Sequence, residues 1–291
     1  VEDGFLDHTG LMNSIRLATR VGLRMTNVDM SLPRWNATQK RDRLIGVSMT
    51  GWMDALDSFE GGDVVSRLGD GVSYGESPTQ LLSSMRREAT EEAAEYAAEM
   101  RVPVPLLVTT VKPEGSLSQL PSVSSGVHRP WAPYFVRRVR ISAADPLART
   151  MLYMDYPIYP EVGQWDSGES DPWAALGKFR AMNPAGKQAA LSQASTWVVE
   201  FPQKSEASVT SQEEPAVDQL RRYFDFQRLY TDHNTSISVY VGDDEWDEVT
   251  QMVWENWDDF VGISFLPKDQ TAYALAPNEE ITEDEYLRRM S

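Results

Sequence analysis

Residues 87–118 read REATEEAAEYAAEMRVPVPLLVTTVKPEGSLS, and this stretch predicts a fold class on its own. Its first half is rich in alanine and glutamate, which favour a helix. Residues 102–111 form a β-prone run, and a loop of Pro, Gly and Ser follows it. A helix, a strand and a glycine-containing loop in that order are typical of an α/β fold, so we predict that class.

The segments on both sides continue the alternation. Apolar spacing predicts a helix over residues 11–28 that Pro33 would close, and Ser77-Pro-Thr-Gln80 forms a capping box that opens a helix reaching about Met100. Further helices are predicted at residues 145–155, 216–230 and 246–257 and after Thr282, with strands at residues 44–51, 136–142, 196–201, 234–241 and 261–266. Residues 61–75 are a glycine-rich break, and residues 163–187 show no clear period, which makes them the best candidate for an insertion.

Charge and composition exclude several classes of function. The 291 residues carry 27 basic and 44 acidic side chains, a net charge of −17, which disfavours a non-specific nucleic-acid binder. We find no apolar run of about 18 residues and no secretion leader, so we expect no membrane partner and a cytoplasmic location. The chain has no cysteine, which excludes disulfides, thiolate metal sites and thiol chemistry by its own residues.

The loop after the predicted strand is the best candidate for a binding site. Pro113, Glu114, Gly115, Ser116, Leu117 and Ser118 would expose several backbone N–H groups, Gly115 permits a positive φ or a close approach, and the serines add hydroxyl donors. Phosphate oxygens suit such donors. The loop is not a Walker A motif, because the Gly-Lys-Ser/Thr ending is missing. Loops of this composition are also common as plain turns, and from the residues alone that alternative stays open.

Other candidate residues point more weakly to chemistry. His8, His128 and His233 lack ligand spacing, so we expect hydrogen-bonded structural histidines and no metal site. Arg137, Arg138 and Arg140 either support a polyphosphate or form surface charge on a strand, and the alternation of the sequence fits both.

Longer stretches resemble one known family. TTVKPEGSLSQLPSVSSGVHRPWAPYFVRRVRIS, residues 109–142, resembles the segment of adenosylcobalamin-dependent ribonucleotide reductases in which a barrel strand ends in a loop that binds substrate phosphates. Residues 16–56 resemble the region after the radical-bearing loop of these enzymes. Residues 195–202, 230–241, 256–267 and 276–290 resemble successive pieces of their C-terminal half, in the same order.

The resemblance implies a fold, a substrate and a cofactor. It is strongest with the monomeric branch that reduces ribonucleoside triphosphates, although diphosphates stay possible substrates. It implies that residues 1–291 are the later part of a ten-stranded α/β barrel, with an insertion possible at residues 163–187. It also implies that adenosylcobalamin is the cofactor and that residues 113–118 bind the substrate phosphates.

The family's chemistry conflicts with the cysteine count. In the family one cysteine forms a thiyl radical and two more reduce the substrate, and none of these is present. We therefore expect one half of a split reductase, whose partner, an N-terminal half, carries the catalytic cysteines and binds the cofactor jointly with this chain, with a thiol reductant supplying electrons. The alternative is a non-catalytic nucleotide-binding or regulatory module derived from such an enzyme.

Overall fold

The computed structural model describes residues 5–59, 64–69, 71, 73–205, 207, 209–268 and 274–290. The chain divides into two compact units. Unit 1 comprises residues 1–129, 207–209 and 213–266, and unit 2 comprises residues 130–206, 210–212 and 267–291.

Helices and strands are mixed along the whole chain. The helices are α1 (His8–Met25), α2 (Pro33–Asp42), α3 (Trp52–Asp57), α4 (Pro78–Met100), α5 (Pro146–Tyr153), α6 (Pro172–Ala181), α7 (Pro184–Gln193), α8 (Ala216–Leu229), α9 (Trp246–Glu255) and α10 (Glu283–Met290). The strands are β1 (Leu6–Asp7), β2 (Val64–Arg67), β3 (Ser73–Glu76), β4 (Tyr134–Ser142), β5 (Ile158–Pro160), β6 (Thr196–Lys204), β7 (Ser238–Val241), β8 (Ser264–Pro267) and β9 (Asn278–Glu280). None of the helices in the described residues is both long and apolar enough to cross a membrane.

Unit 1 is built on the contact between its two long helices. Apolar residues that recur every three to four positions, among them Ile15 and Leu23, form the buried face of α1. This helix packs against α4, whose Met85 and Ala89 are buried. The pair is also joined by an ion pair between Arg20 and Glu92, 2.6 Å apart. The capping box at the start of α4 is confirmed: the Gln80 N–H donates to the Ser77 hydroxyl and the Gln80 side chain accepts from the Ser77 N–H.

Three extended segments run side by side in unit 1, where the sequence predicts strands at residues 44–51, 102–111 and 234–241. Of these three segments, only residues 238–241 form a regular strand. Isolated parallel bridges join the first segment to the second, from Val47 to Thr109, and the second to the third, from Val111 to Thr235. Pro103 and Pro105 lack an N–H and so cannot donate to a ladder at the start of the second segment.

Unit 2 contains a four-stranded antiparallel sheet in the order β5-β6-β4-β9. The long pair β4 and β6 places Val139 opposite Val199. A cluster of buried side chains from α5, α6, α7 and β6, including Phe179, Leu191 and Trp197, packs together beside the sheet.

Two predictions made from the sequence are wrong in detail: that Pro33 closes a helix, and that residues 61–75 are only a break. Pro33 does not close a helix but begins α2, because proline is well suited to the first helical position. The possible insertion at residues 163–187 stays a prediction, and α6 and the start of α7 lie within it. The glycine-rich break at residues 61–75 contains β2 and β3, although residues 61–63, 70 and 72 lie outside the described part of the chain.

Candidate functional site

The predicted anion-binding loop begins where the chain leaves Val111. Glu114 adopts the left-handed conformation, with φ of 53°, and the Ser118 N–H donates to the Glu114 carbonyl oxygen over 2.9 Å. A short 3-10 turn, Leu117–Gln119, follows. A left-handed residue beside right-handed ones turns successive N–H groups to one side of the backbone, which is the geometry of an anion-binding nest.

Several donors of this loop are unused within the described part of the chain. The N–H groups of Gly115, Ser116 and Leu117 donate to no protein acceptor there, and neither does the Ser116 hydroxyl. Ser116 and Leu117 are exposed, as is Pro113, and Gly115 and Glu114 are half-buried. The loop therefore presents a group of adjacent donors to an approaching anion.

Ser118, unlike Ser116 and Leu117, does not face solvent. Its side chain is fully buried, and its hydroxyl lies 3.2 Å from the Ser125 hydroxyl. The Val123 N–H donates to the Ser118 carbonyl oxygen over 3.1 Å. Ser118 thus joins the first half of the loop to its second half.

The second half of the loop is fixed to the start of α3. The Asp54 carboxylate accepts the Ser124 N–H over 2.7 Å and also the Ser124 hydroxyl. The Gly51 N–H donates to the Ser124 carbonyl oxygen over 3.0 Å. Asp54 lies in the first turn of α3, where a negative charge is favourable. Composition gave no signal that singles out Asp54.

At two glycines, other parts of the loop approach the backbone too closely to leave room for a side chain. Gly126 has φ of 55°, and a Cβ there would lie 2.6 Å from the Lys112 carbonyl oxygen. Gly51 has φ of 74°, and its Cβ would meet Val123 at 3.0 Å. The Gly126 N–H donates to the Thr50 hydroxyl over 2.9 Å. At both positions only glycine can adopt the positive φ and leave room for the neighbouring atoms.

His128 ends the loop as a hydrogen-bonded residue, as predicted. Its Nδ1 lies 2.9 Å from the Ser125 carbonyl oxygen, and its Nε2 accepts the Ser238 N–H over 3.0 Å. These two partners are satisfied together by the neutral tautomer with the proton on Nδ1. His233 is also hydrogen-bonded, with Nε2 lying 2.7 Å from the Ile45 carbonyl oxygen.

A buried group of charges holds the chain just beyond His128. Glu214 pairs with Arg129, 3.0 Å away, and also with Arg222, whose guanidinium donates to the Val127 carbonyl oxygen over 3.1 Å. Burial lowers the pKa of Arg222, and the Glu214 carboxylate opposes that effect. The sequence gave no signal that relates Glu214 to the loop, because residues 127–129 and 214 meet only in the folded unit.

The sequence leaves two roles open for the arginines of β4, polyphosphate binding and surface charge, and the three side chains do not share either role. Arg138 is buried, with its guanidinium 2.7 Å from Glu200 and also paired with Glu279. Arg140 pairs with Glu161, and Arg137 donates to the Asn278 side chain over 3.1 Å. All three lie in unit 2 and make contacts within it, whereas the loop belongs to unit 1. Arg138 is therefore neither surface charge nor an exposed phosphate ligand.

Among the described residues, no group of three or more His, Asp or Glu side chains is placed to hold a metal ion. The exposed part of the loop offers backbone N–H donors and the Ser116 hydroxyl. Such a site can bind and orient an anion, but none of its groups can abstract hydrogen or carry electrons.

Comparison with known proteins finds relatives that are named as reductases. It is 26% identical over 310 aligned residues to a putative adenosylcobalamin-dependent ribonucleoside-triphosphate reductase of Mycobacterium phage D29, covering 97% of this chain and 39% of the relative. It is 25% identical to the adenosylcobalamin-dependent ribonucleoside-triphosphate reductase of Lactobacillus acidophilus, covering 96% of this chain and 36% of the relative. No family model matches.

A solved structure has the same fold. The crystal structure of a B12-dependent (class II) ribonucleotide reductase superposes with a TM-score of 0.66 at 18% identity, covering 96% of this chain and 37% of that one. The chain spans a little over a third of the length of these relatives. In sequence and in fold, the chain is a homologue of one part of the adenosylcobalamin-dependent (class II) ribonucleotide reductases.

Proposed function

We propose that the chain is the later portion of an adenosylcobalamin-dependent ribonucleoside-triphosphate reductase and supplies the loop that binds the substrate phosphates. The observation that carries the proposal is the group of unused N–H donors at Gly115, Ser116 and Leu117. These donors occur in the stretch that resembles the substrate-phosphate segment of the family.

The donors suit a phosphorylated substrate for electrostatic reasons. With a net charge of −17, most of the protein's surface repels anions, so a nucleotide must be bound by local groups. Hydrogen bonds from N–H groups to an ionised phosphate are stronger than those to neutral acceptors. Triphosphates are the preferred substrates in this proposal, because the relatives are named ribonucleoside-triphosphate reductases.

The catalytic thiols come from outside these 291 residues. Reducing a ribonucleotide replaces the 2′ hydroxyl with hydrogen and releases water, and the two electrons come from two thiols that become a disulfide. These residues include no cysteine, and in our proposal the N-terminal portion of the reductase, on a partner chain, supplies these groups. An external thiol reductant then regenerates them.

Adenosylcobalamin enters the proposal through the names of the relatives. Cavities lined by described residues measure about 340 to 660 Å³, which suits ligands of nucleotide size, whereas a corrinoid is much larger. None of these four cavities is large enough to hold the cofactor alone. We therefore place it with the partner chain and derive no step through it.

The first test measures whether the chain needs a partner. Purified alone, it should form no deoxynucleotide; mixed with the cysteine-bearing N-terminal portion encoded in the same genome, it should do so with adenosylcobalamin and a dithiol. Turnover by the isolated chain would reject the division of labour. Nucleotide binding without turnover in every mixture would favour a non-catalytic module.

The second test concerns the loop itself. Ser116→Ala removes one hydroxyl donor to a charged group and should raise the Michaelis constant of the reconstituted enzyme by about 10- to 150-fold, with a smaller change in kcat. Gly115→Val should cost far more, because it blocks approach to the backbone donors. Ser31→Ala, at an exposed serine outside the loop, is the matched control and should change nothing. Wild-type Michaelis constants in both loop variants would show that the loop is only a turn.

A further inference from the structure

Unit 2 contains a cavity that the proposed function does not use. It measures about 660 Å³ and lies among α5, β5, α6 and α7. Its walls include part of the segment that the sequence predicts as an insertion. Its volume lies within the range of about 300 to 1,000 Å³ that is usual for small-molecule sites.

Aromatic rings form part of the cavity's lining. Tyr153, Tyr156, Tyr159 and Phe179 all contribute to it. Phe179 is buried and holds the Tyr159 ring at a centroid distance of 5.6 Å, so the inner part of the lining is fixed by packing. The Tyr153 side chain is 92% exposed, which is unusual for so large an aromatic group and leaves its face open to a ligand.

Cations line the same cavity. Arg149, Arg180 and Lys187 contribute to it, against one carboxylate, that of Asp155. The Arg180 guanidinium lies 5.5 Å from the centroid of the Tyr159 ring. Within the described part of the chain, the side chains of Arg149 and Lys187 make no ion pair or hydrogen bond. The cavity is therefore a local excess of positive charge in a chain whose net charge is −17.

The Tyr159 hydroxyl adds a neutral donor. Burial raises the pKa of the Tyr159 phenol, and the Glu200 carboxylate raises it further, which outweighs the opposing effect of Arg180. The hydroxyl therefore stays protonated at neutral pH.

We propose that this cavity binds a phosphorylated aromatic compound of the nucleoside phosphate class, with the base against Tyr153 and Tyr156 and the phosphates on Arg149 and Lys187. Aromatic faces stack on any nucleobase, and guanidinium and ammonium groups bind phosphate oxygens. The Asp155 carboxylate can accept hydrogen bonds from ribose hydroxyls. This site is separate from the loop of unit 1 and does not depend on the reductase function.

Titration calorimetry of the full chain tests the proposal with ATP, adenosine and inorganic tripolyphosphate as probes. ATP should bind to the wild type, and adenosine and tripolyphosphate should each bind at least about tenfold more weakly, because each lacks half of the recognised groups. Arg149→Ala/Lys187→Ala should weaken ATP binding by at least about tenfold for each cation removed. Tyr153→Ala, at a side chain exposed enough to leave folding unaffected, should also weaken it.

Two further variants assign the binding to one site. Arg24→Ala/Arg34→Ala removes two exposed cations of unit 1 and should leave ATP affinity unchanged. Gly115→Val disables the proposed substrate loop and should also leave this site intact, so the two proposals fail separately. The proposal is overturned if ATP does not bind, if tripolyphosphate binds as tightly as ATP, or if Gly115→Val abolishes binding while Arg149→Ala/Lys187→Ala preserves it.

Discussion

Asp232 joins separate segments of unit 1 through a single carboxylate. Its Oδ2 accepts the Val108 and Thr109 N–H groups over 2.9 and 3.2 Å, and its Oδ1 lies 2.5 Å from the Arg86 guanidinium. The Asp232 N–H donates back to the Thr109 carbonyl oxygen over 3.1 Å. Asp232 thus supplies acceptors to an extended segment that has few ladder partners and that lies directly before the loop at residues 113–118.

This arrangement makes stability depend on pH with a definite sign. Burial acts to raise the pKa of Asp232, but the hydrogen bonds from Val108, Thr109 and Arg86 outweigh it, so its pKa is lowered. A lowered pKa means that the stabilisation is present above the pKa of an unfolded aspartate, about 3.9, and is lost as the pH falls through the folded value.

We therefore expect Asp232→Asn to lower the free energy of unfolding by about 1 to 3 kcal/mol at pH 7. The difference from wild type should be constant from about pH 5 to 8 and should shrink below about pH 4. Denaturant unfolding across this range measures it. Asp243→Asn, at an exposed carboxylate, is the matched control and should change the free energy of unfolding little at pH 7. A difference for Asp232→Asn that persists undiminished at pH 3 would contradict the assignment.

At this scale the sequence predicts which residues could carry donors but not the geometry that they adopt. The Gly and Ser content of residues 113–118 predicts a backbone-donor loop, and the structure leaves donors unused there. The sequence draws attention to Gly115 as the residue suited to positive φ, but Glu114 adopts φ of 53°. The need for glycine at position 126 could not be inferred, because it arises from Lys112, which is distant along the chain.

At the scale of elements, helix starts are the features that local sequence specifies best. The Ser77 capping box was predictable because both of its partners lie within one turn. The starts of α5, α6 and α7 share a pattern that could have been recognised: Asp145, Asp171 and Asn183 each cap a helix, and each is followed by proline. For residues 163–187 this capping pattern predicts two helix starts, although the apolar residues there show no clear helical period. The partial strands at residues 44–51 and 102–111 depend on distant partners, which no local pattern reveals.

The capping box of α4 gives a prediction at this scale. Ser77→Ala removes the acceptor of the Gln80 N–H and should lower the free energy of unfolding by about 1 kcal/mol. Ser83→Ala is the control within the same helix: its hydroxyl donates to the Thr79 carbonyl oxygen at an exposed site, and alanine should stabilise the helix by a few tenths of a kcal/mol. Equal losses in both variants would show that the cap contributes nothing.

At the scale of the whole molecule, two properties bear on the proposed partner. The chain has no cysteine, although its relatives are named as reductases, and it spans a little over a third of their length. Its first long helix also leaves an apolar stripe uncovered: Leu17, Val21 and Met25 recur every four residues on α1 and are 64%, 49% and 66% exposed. Exposed apolar stripes of this kind mark surfaces that another protein surface covers.

If this stripe is uncovered in the isolated protein, the chain should self-associate through it at high concentration. Leu17→Glu/Val21→Glu replaces two apolar side chains with charges and should raise the dissociation constant of self-association by at least about tenfold, since burying one such side chain contributes about 1.5 to 3 kcal/mol. Asn13→Glu adds a charge one turn earlier on the same stripe without removing an apolar group, and should have little effect. Sedimentation velocity across a range of concentrations measures all three proteins, with circular dichroism as the check that α1 is intact. A wild-type chain that stays monomeric at high concentration, or a stripe variant that associates as wild type does, would show that the stripe is no interface.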